Sequence, residues 1–96
     1  MAWDNFFVAL KRDRGTFRIV EQTSGVVDLG RLRSDGLLHD VSEQPCVYRD
    51  QGAILSVQQF LAYAETERTI AWAKARMADA EFILINQAEY ETGDPD

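Results

Sequence analysis

The second half of the chain opens on a helix start that leaves little conformational choice. Ser56-Val57-Gln58-Gln59 is a capping box. The Ser56 hydroxyl is placed to accept the Gln59 backbone N–H, and the Gln59 side chain to reach back to the cap. Leu55 and Phe60 flank it at the spacing of a hydrophobic staple. Alanine-rich sequence follows, with neither glycine nor proline until Gly93. This predicts one long helix from Val57 to Ala80, roughly 36 Å at 1.5 Å per residue. A chain of 96 residues folds to a body roughly 30 Å across, so such a helix already spans it. Phe82-Ile83-Leu84-Ile85 is four apolar residues in a row, which suits a buried strand. We therefore expect a short final strand at 82–86. The alternative is helix continued to Glu91, which would overhang the body and favour a homodimer that covers it. Glu89 to Asp96 reads as a flexible acidic tail.

The first half is rich in glycine and β-branched residues. Asn5 to Lys11 and Thr16 to Gln22 alternate apolar and polar positions about Arg12-Asp13-Arg14-Gly15, the pattern of a β-hairpin. Val26 to Leu32 reads as a third strand, weakened by Gly30. Ser34-Asp35-Gly36 is a turn, and Leu37 to Val41 a fourth strand. After Pro45, Cys46 to Tyr48 reads as a short edge strand before Asp50-Gln51-Gly52. Short connections make a meander the simplest topology. The expected fold is α+β: one domain over 1–96, an antiparallel β-meander of three to five strands packed against one long C-terminal helix.

Several function classes are disfavoured by what the sequence lacks. It has no run of 18 apolar residues to cross a membrane as a helix. Its first residues lack the basic region and cleavage site of a secretory signal. Cys46 is the only cysteine and His39 the only histidine, so an internal disulfide and a cysteine- or histidine-rich zinc site are excluded. These features lead us to expect a reducing cytoplasm. There is no glycine-rich phosphate loop, nucleophile motif or metal-ligand spacing, so we expect no enzyme, cofactor or metal. His39-Asp40 would form an acid–base pair only through tertiary placement.

Charge is unevenly distributed. The net charge is −6, yet the first 76 residues hold 10 basic and 10 acidic residues. After Arg76 there is no Lys or Arg, but Asp79, Glu81, Glu89, Glu91, Asp94 and Asp96 follow. An acidic end either serves solubility or offers a surface to a basic partner, including a nucleic-acid-binding protein. The opposite charge gathers at the hairpin, in Lys11, Arg12, Arg14 and Arg18, with Arg31 and Arg33 further on. A basic hairpin can track phosphate, although Asp13, Glu21, Asp28 and Asp35 dilute it.

On a single helical wheel, Tyr63, Ile70, Ala73 and Met77 form one apolar stripe. Val57, Phe60, Ala64, Ala71, Ala75 and Ala78 form another, and both are expected to pack on the sheet. The polar face between them carries Leu61 and Trp72, which are 11 residues apart and so about 20° apart on the wheel. Arg68 and Arg76 lie one turn before and after Trp72. An aromatic flanked by arginines has the composition of a binding hot spot. The competing reading has Trp72 covered by a loop, with arginine stems lying over it. The sequence points to an accessory protein that binds and modulates or inhibits another protein through Leu61, Arg68, Trp72 and Arg76. Small acidic domains of this kind are common among phage and mobile-element inhibitors of host nucleic-acid-binding or defence complexes, an analogy of size and charge alone. The second reading is a nucleic-acid-binding module using the hairpin arginines.

Overall fold

The computed structural model describes residues 5–44 and 51–87. The expected edge strand at Cys46–Tyr48 and the acidic tail Glu89–Asp96 lie outside these residues. The fold is α+β, built on one five-stranded antiparallel sheet. β1 (Asn5–Asp13) and β2 (Thr16–Gly25) form the expected hairpin. Its two-residue loop is Arg14-Gly15, both at positive φ (57° and 85°), the geometry that matches strand twist. Val20 is the extra residue of a bulge, since Ala9 faces Glu21 while Leu10 faces Ile19.

The third expected strand is instead a helix, α1 (Leu29–Ser34). Asp28 caps it by accepting the Arg31 N–H at 3.0 Å. Its C-terminus closes on Gly36, at φ 74°. There the Gly36 N–H donates to the Arg33 carbonyl and the Leu37 N–H to the Leu32 carbonyl, both at 3.0 Å. Of the fourth expected strand only β3 (His39–Asp40) forms, at the sheet edge.

β4 (Gln51–Ser56) leads into α2 (Val57–Leu61), and the Ser56 hydroxyl accepts the Gln59 N–H at 3.0 Å as expected. The single long helix does not form. The chain breaks after α2 and resumes as α3 (Glu67–Arg76). At the break, the Asp28 N–H donates to the Tyr63 carbonyl and the Glu65 N–H to the Val26 carbonyl, each at 3.0 Å. These bonds form a bridge between Val27 and Ala64. Thr66 then caps α3 by accepting the Thr69 N–H at 3.1 Å. The segment after β2, Val26 to Asp28, thus offers backbone partners that an uninterrupted helix would leave unmet.

The final strand is present as β5 (Phe82–Gln87), and it is central. The order is β2-β1-β5-β4-β3, so the sheet is not a meander. β5 lies between β1 and β4, which explains why 82–85 is apolar throughout: it is covered on both faces. One face carries Phe7, Ala53, Leu55, Ile83 and Ile85 against Val57, Phe60, Tyr63 and Ala73 of the helical layer, with Leu32 of α1. The other gathers Val8, Leu10 and Leu84 with Val41, rimmed by the half-buried Phe6, Phe17, Ile19, Ile54 and Phe82. Among the described residues no helix is long and apolar enough to cross a membrane.

Candidate functional site

The break in the helix changes which side chains share a face. Leu61 belongs to α2 and Trp72 to α3, so the 20° relation between them does not apply. Both are half-buried and pack on the same core cluster.

Within α3, Thr69 and Ala73 are buried against the sheet. Trp72 stands on the flank of that buried arc. Its ring stacks on Phe7 of β1, 6.0 Å between centroids and 29° between planes, and meets Phe60 edge-on at 6.3 Å. Phe7 and Phe60 are themselves in T-shaped contact at 5.0 Å. The Trp72 indole N–H is enclosed and has no acceptor among the described residues. Arg76 lies across the outside of the ring, its guanidinium 5.8 Å from the ring centre. Nη1 is ion-paired with Glu21 of β2, and Nε lies 3.5 Å from the Asp79 carboxylate. Arg76 is therefore tethered to β2 through Glu21, with Asp79 of the following turn near Nε but not hydrogen-bonded to it, and only 15% of its side chain is exposed. Arg68, one turn earlier, is exposed.

Of the four residues singled out in the sequence, the structure thus brings Trp72 and Arg76 into contact. It places Arg68 beside them on the outer side of α3 and Leu61 on the adjoining helix. The two wheel stripes need correction. Tyr63 and Ala73 are buried, but Met77, at the end of α3, is 49% exposed. Val57 and Phe60 are buried, but Ala71, Ala75 and Ala78 face solvent. The wheel failed because it assumed one axis for residues that belong to two helices. Arg68, the outer edge of Trp72, Ala71, Ala75 and Ala78 consequently form one continuous arc of α3 and its last turn.

One cluster escaped sequence reasoning. The Tyr63 hydroxyl donates to the Asp35 carboxylate at 2.5 Å, and the Arg31 guanidinium lies 4.5 Å over the Tyr63 ring. Sharing its proton with Asp35, with burial adding to the effect, raises the Tyr63 phenol above the usual tyrosine range. These residues tie α1 to the α2–α3 break. No spacing rule connects positions 28 residues apart, so the sequence carried no signal for the contact.

The hairpin places its charges unusually. Lys11 stands directly opposite Arg18, and Arg12 opposite Phe17. Arg12 donates its backbone N–H to Glu81 at 2.8 Å, while its guanidinium lies 5.4 Å over the Phe82 ring. His39 is exposed, its Nδ1 3.3 Å from the Asp40 carbonyl oxygen, and Cys46 lies outside the described residues. Among the described residues no group of three or more His, Cys, Asp or Glu side chains is placed to hold a metal ion. No family model matches the chain, and neither a curated protein nor a solved structure matches it.

Proposed function

We propose that this chain is a binding protein that docks on another protein through the outer arc of α3 and thereby modulates or inhibits it. The observation that carries the reading is the exposure of Ala71, Ala75 and Ala78. Apolar residues at i, i+4 and i+7 form the stripe that a helix normally buries. Here the stripe points away from the sheet, because Thr69, Trp72 and Ala73 occupy the inner side. Small side chains let a partner approach the helix backbone closely and lose no rotamer freedom on burial.

The border of the arc supplies what alanine cannot. Arg68 offers an exposed charge, Trp72 an aromatic edge, and Leu61 apolar surface on the neighbouring helix. Arg76 is tethered to β2 by Glu21, so it acts chiefly by keeping Trp72 in position. Preorganised groups of this kind limit the ordering cost of association.

The test is affinity purification from the source cell with quantitative mass spectrometry, comparing the wild-type chain with Ala75→Arg. An exposed helical alanine tolerates arginine without loss of fold. The reading expects one partner to be enriched by the wild type and lost with Ala75→Arg, while the thermal midpoint stays unchanged. Equal recovery of that partner by both chains would exclude the arc as the docking site.

A further inference from the structure

The end of the β1–β2 hairpin departs from local stability twice, and both departures concentrate positive charge. Lys11 and Arg18 are direct cross-strand neighbours. Like charges in that position repel. Arg14 holds a left-handed backbone at φ 57° in the two-residue loop, where Asn, Asp or Gly is the favoured choice. Asp13 is the only carboxylate among the eight residues 11–18, against four cations. Among the described residues, none of these four cations is ion-paired, in contrast to Arg76. Local rules broken without a local gain mark positions shaped by something other than folding.

The placement of the charges indicates the ligand. The register of β1 with β5 ends at the pair Leu10 and Phe82. Beyond it β1 pairs only with β2, so the hairpin end extends about 10 Å past the central strand, at ~3.4 Å per residue. Lys11 and Arg18 lie on the face of the ribbon continuous with Phe7 and Ala9. Arg12 lies on the opposite face with Val8 and Leu10, and Arg14 is at the tip. Cations therefore point to both sides and forward. Beside Arg12 is an open cleft of about 480 Å³ lined by Gly15, Thr16, Phe17 and Gln44.

We infer that this hairpin end is a contact site for double-stranded nucleic acid, entering a groove between two phosphate walls. The major groove of B-form DNA is ~12 Å wide and admits a two-stranded ribbon. A ligand that flanks the ribbon on both sides meets all four cations. A single strand running along one face would leave Arg12 or the Lys11–Arg18 pair unused. It would also need a free aromatic platform, whereas Phe17 is half-buried with its ring in contact with Phe82 at 5.7 Å. Net charge does not oppose this contact locally. Residues 11–18 carry four cations against Asp13 alone, and Glu21 at the ribbon base is ion-paired with Arg76. The site is separate from the α3 arc, so either can fail without the other.

The test is fluorescence anisotropy with a labelled mixed-sequence DNA duplex of 20 base pairs, titrated over a range of salt concentrations. Four phosphate contacts predict a slope of log K against log salt of about −3.6, from roughly −0.9 per contact. Arg14→Gly and Arg18→Ala should each flatten the slope by about 1 and weaken binding about eightfold at 0.1 M salt. Both should leave the thermal midpoint at or above that of the wild type, because each relieves a local conflict. Wild-type binding that neither substitution changes would overturn the inference, as would absence of binding. Equal affinity for a single strand of the same length, or for heparin, would also overturn it, by reducing the hairpin to a general polyanion contact.

Discussion

The Thr69 hydroxyl accepts the Val26 backbone N–H at 3.1 Å, across 43 residues of sequence. It also receives the Thr66 hydroxyl at 2.8 Å. One side chain thus joins the end of β2 to the first turn of α3. Thr69→Val keeps the shape and removes the acceptor, so a part-buried N–H is left unmet at a cost of about 1 kcal/mol. Thr69→Ser keeps the hydroxyl and should cost less. Urea unfolding of both variants checks this, and equal losses would remove the hydrogen bond as the cause.

Glycine positions separate close packing from loose helix. A Cβ at Gly25 would overlap Thr69 Oγ1 and stand 2.9 Å from Phe7 Cε2. A Cβ at Gly52 would overlap the Ile85 carbonyl oxygen, which is backbone and does not yield. At Gly30, inside α1, the nearest atom is Asp28 Oδ1 at 3.6 Å. Gly30→Ala should stabilise by about 0.5–1 kcal/mol. Gly25→Ala should destabilise by about 1–3 kcal/mol, and Gly52→Ala by at least as much. Thermal midpoints of the three variants, ranked in that order, are the check.

Much of the architecture was legible. The hairpin, the Ser56 cap and the final apolar strand rest on local chemistry that tertiary contacts did not override. The break after Leu61 was not legible from propensity, since Ala62 to Glu65 carries no breaker. Its cause is the backbone of Val26 and Asp28, which is distant in sequence. The local trace was Thr66, an N-cap residue inside an alanine-rich run. Likewise Asp28 before Leu29 and Gly36 after Ser34 bracket α1 with a cap and a stop, and the β-branched pair Val26-Val27 masked them. At the candidate site, Trp72 and Arg76 could be paired by their spacing. Their inward lean could not be read, because it depends on Phe7 and Glu21.

Trp72 offers a test of packing against polarity. Trp72→Ala removes the ring that packs on both Phe7 and Phe60 and should cost about 3 kcal/mol. Trp72→Phe keeps an aromatic contact and deletes an enclosed N–H that has no acceptor among the described residues. It should therefore cost much less. Equal destabilisation by the two would mean that the indole nitrogen is satisfied in solution.

The Tyr63–Asp35 bond sets a limit on alkaline stability. The folded state raises the Tyr63 phenol, chiefly through Asp35, so it favours the protonated form. That contribution is complete below the unfolded tyrosine value of about 10 and is lost as pH rises through the higher folded value. Ultraviolet titration of the phenols should show one group with a raised midpoint in the wild type. In Asp35→Asn that midpoint should move down, and the alkaline loss of stability should become shallower.

The claim that the outer arc of α3 is where another protein sits is tested most directly by photo-crosslinking in the source cell. A photoreactive residue is placed in turn at positions 71, 75 and 78, with the exposed position 34 at the end of α1 as the control. We predict that all three arc positions crosslink to the same protein and that position 34 does not. Equal crosslinking from position 34, or products from 71, 75 and 78 that share no protein, would contradict the account.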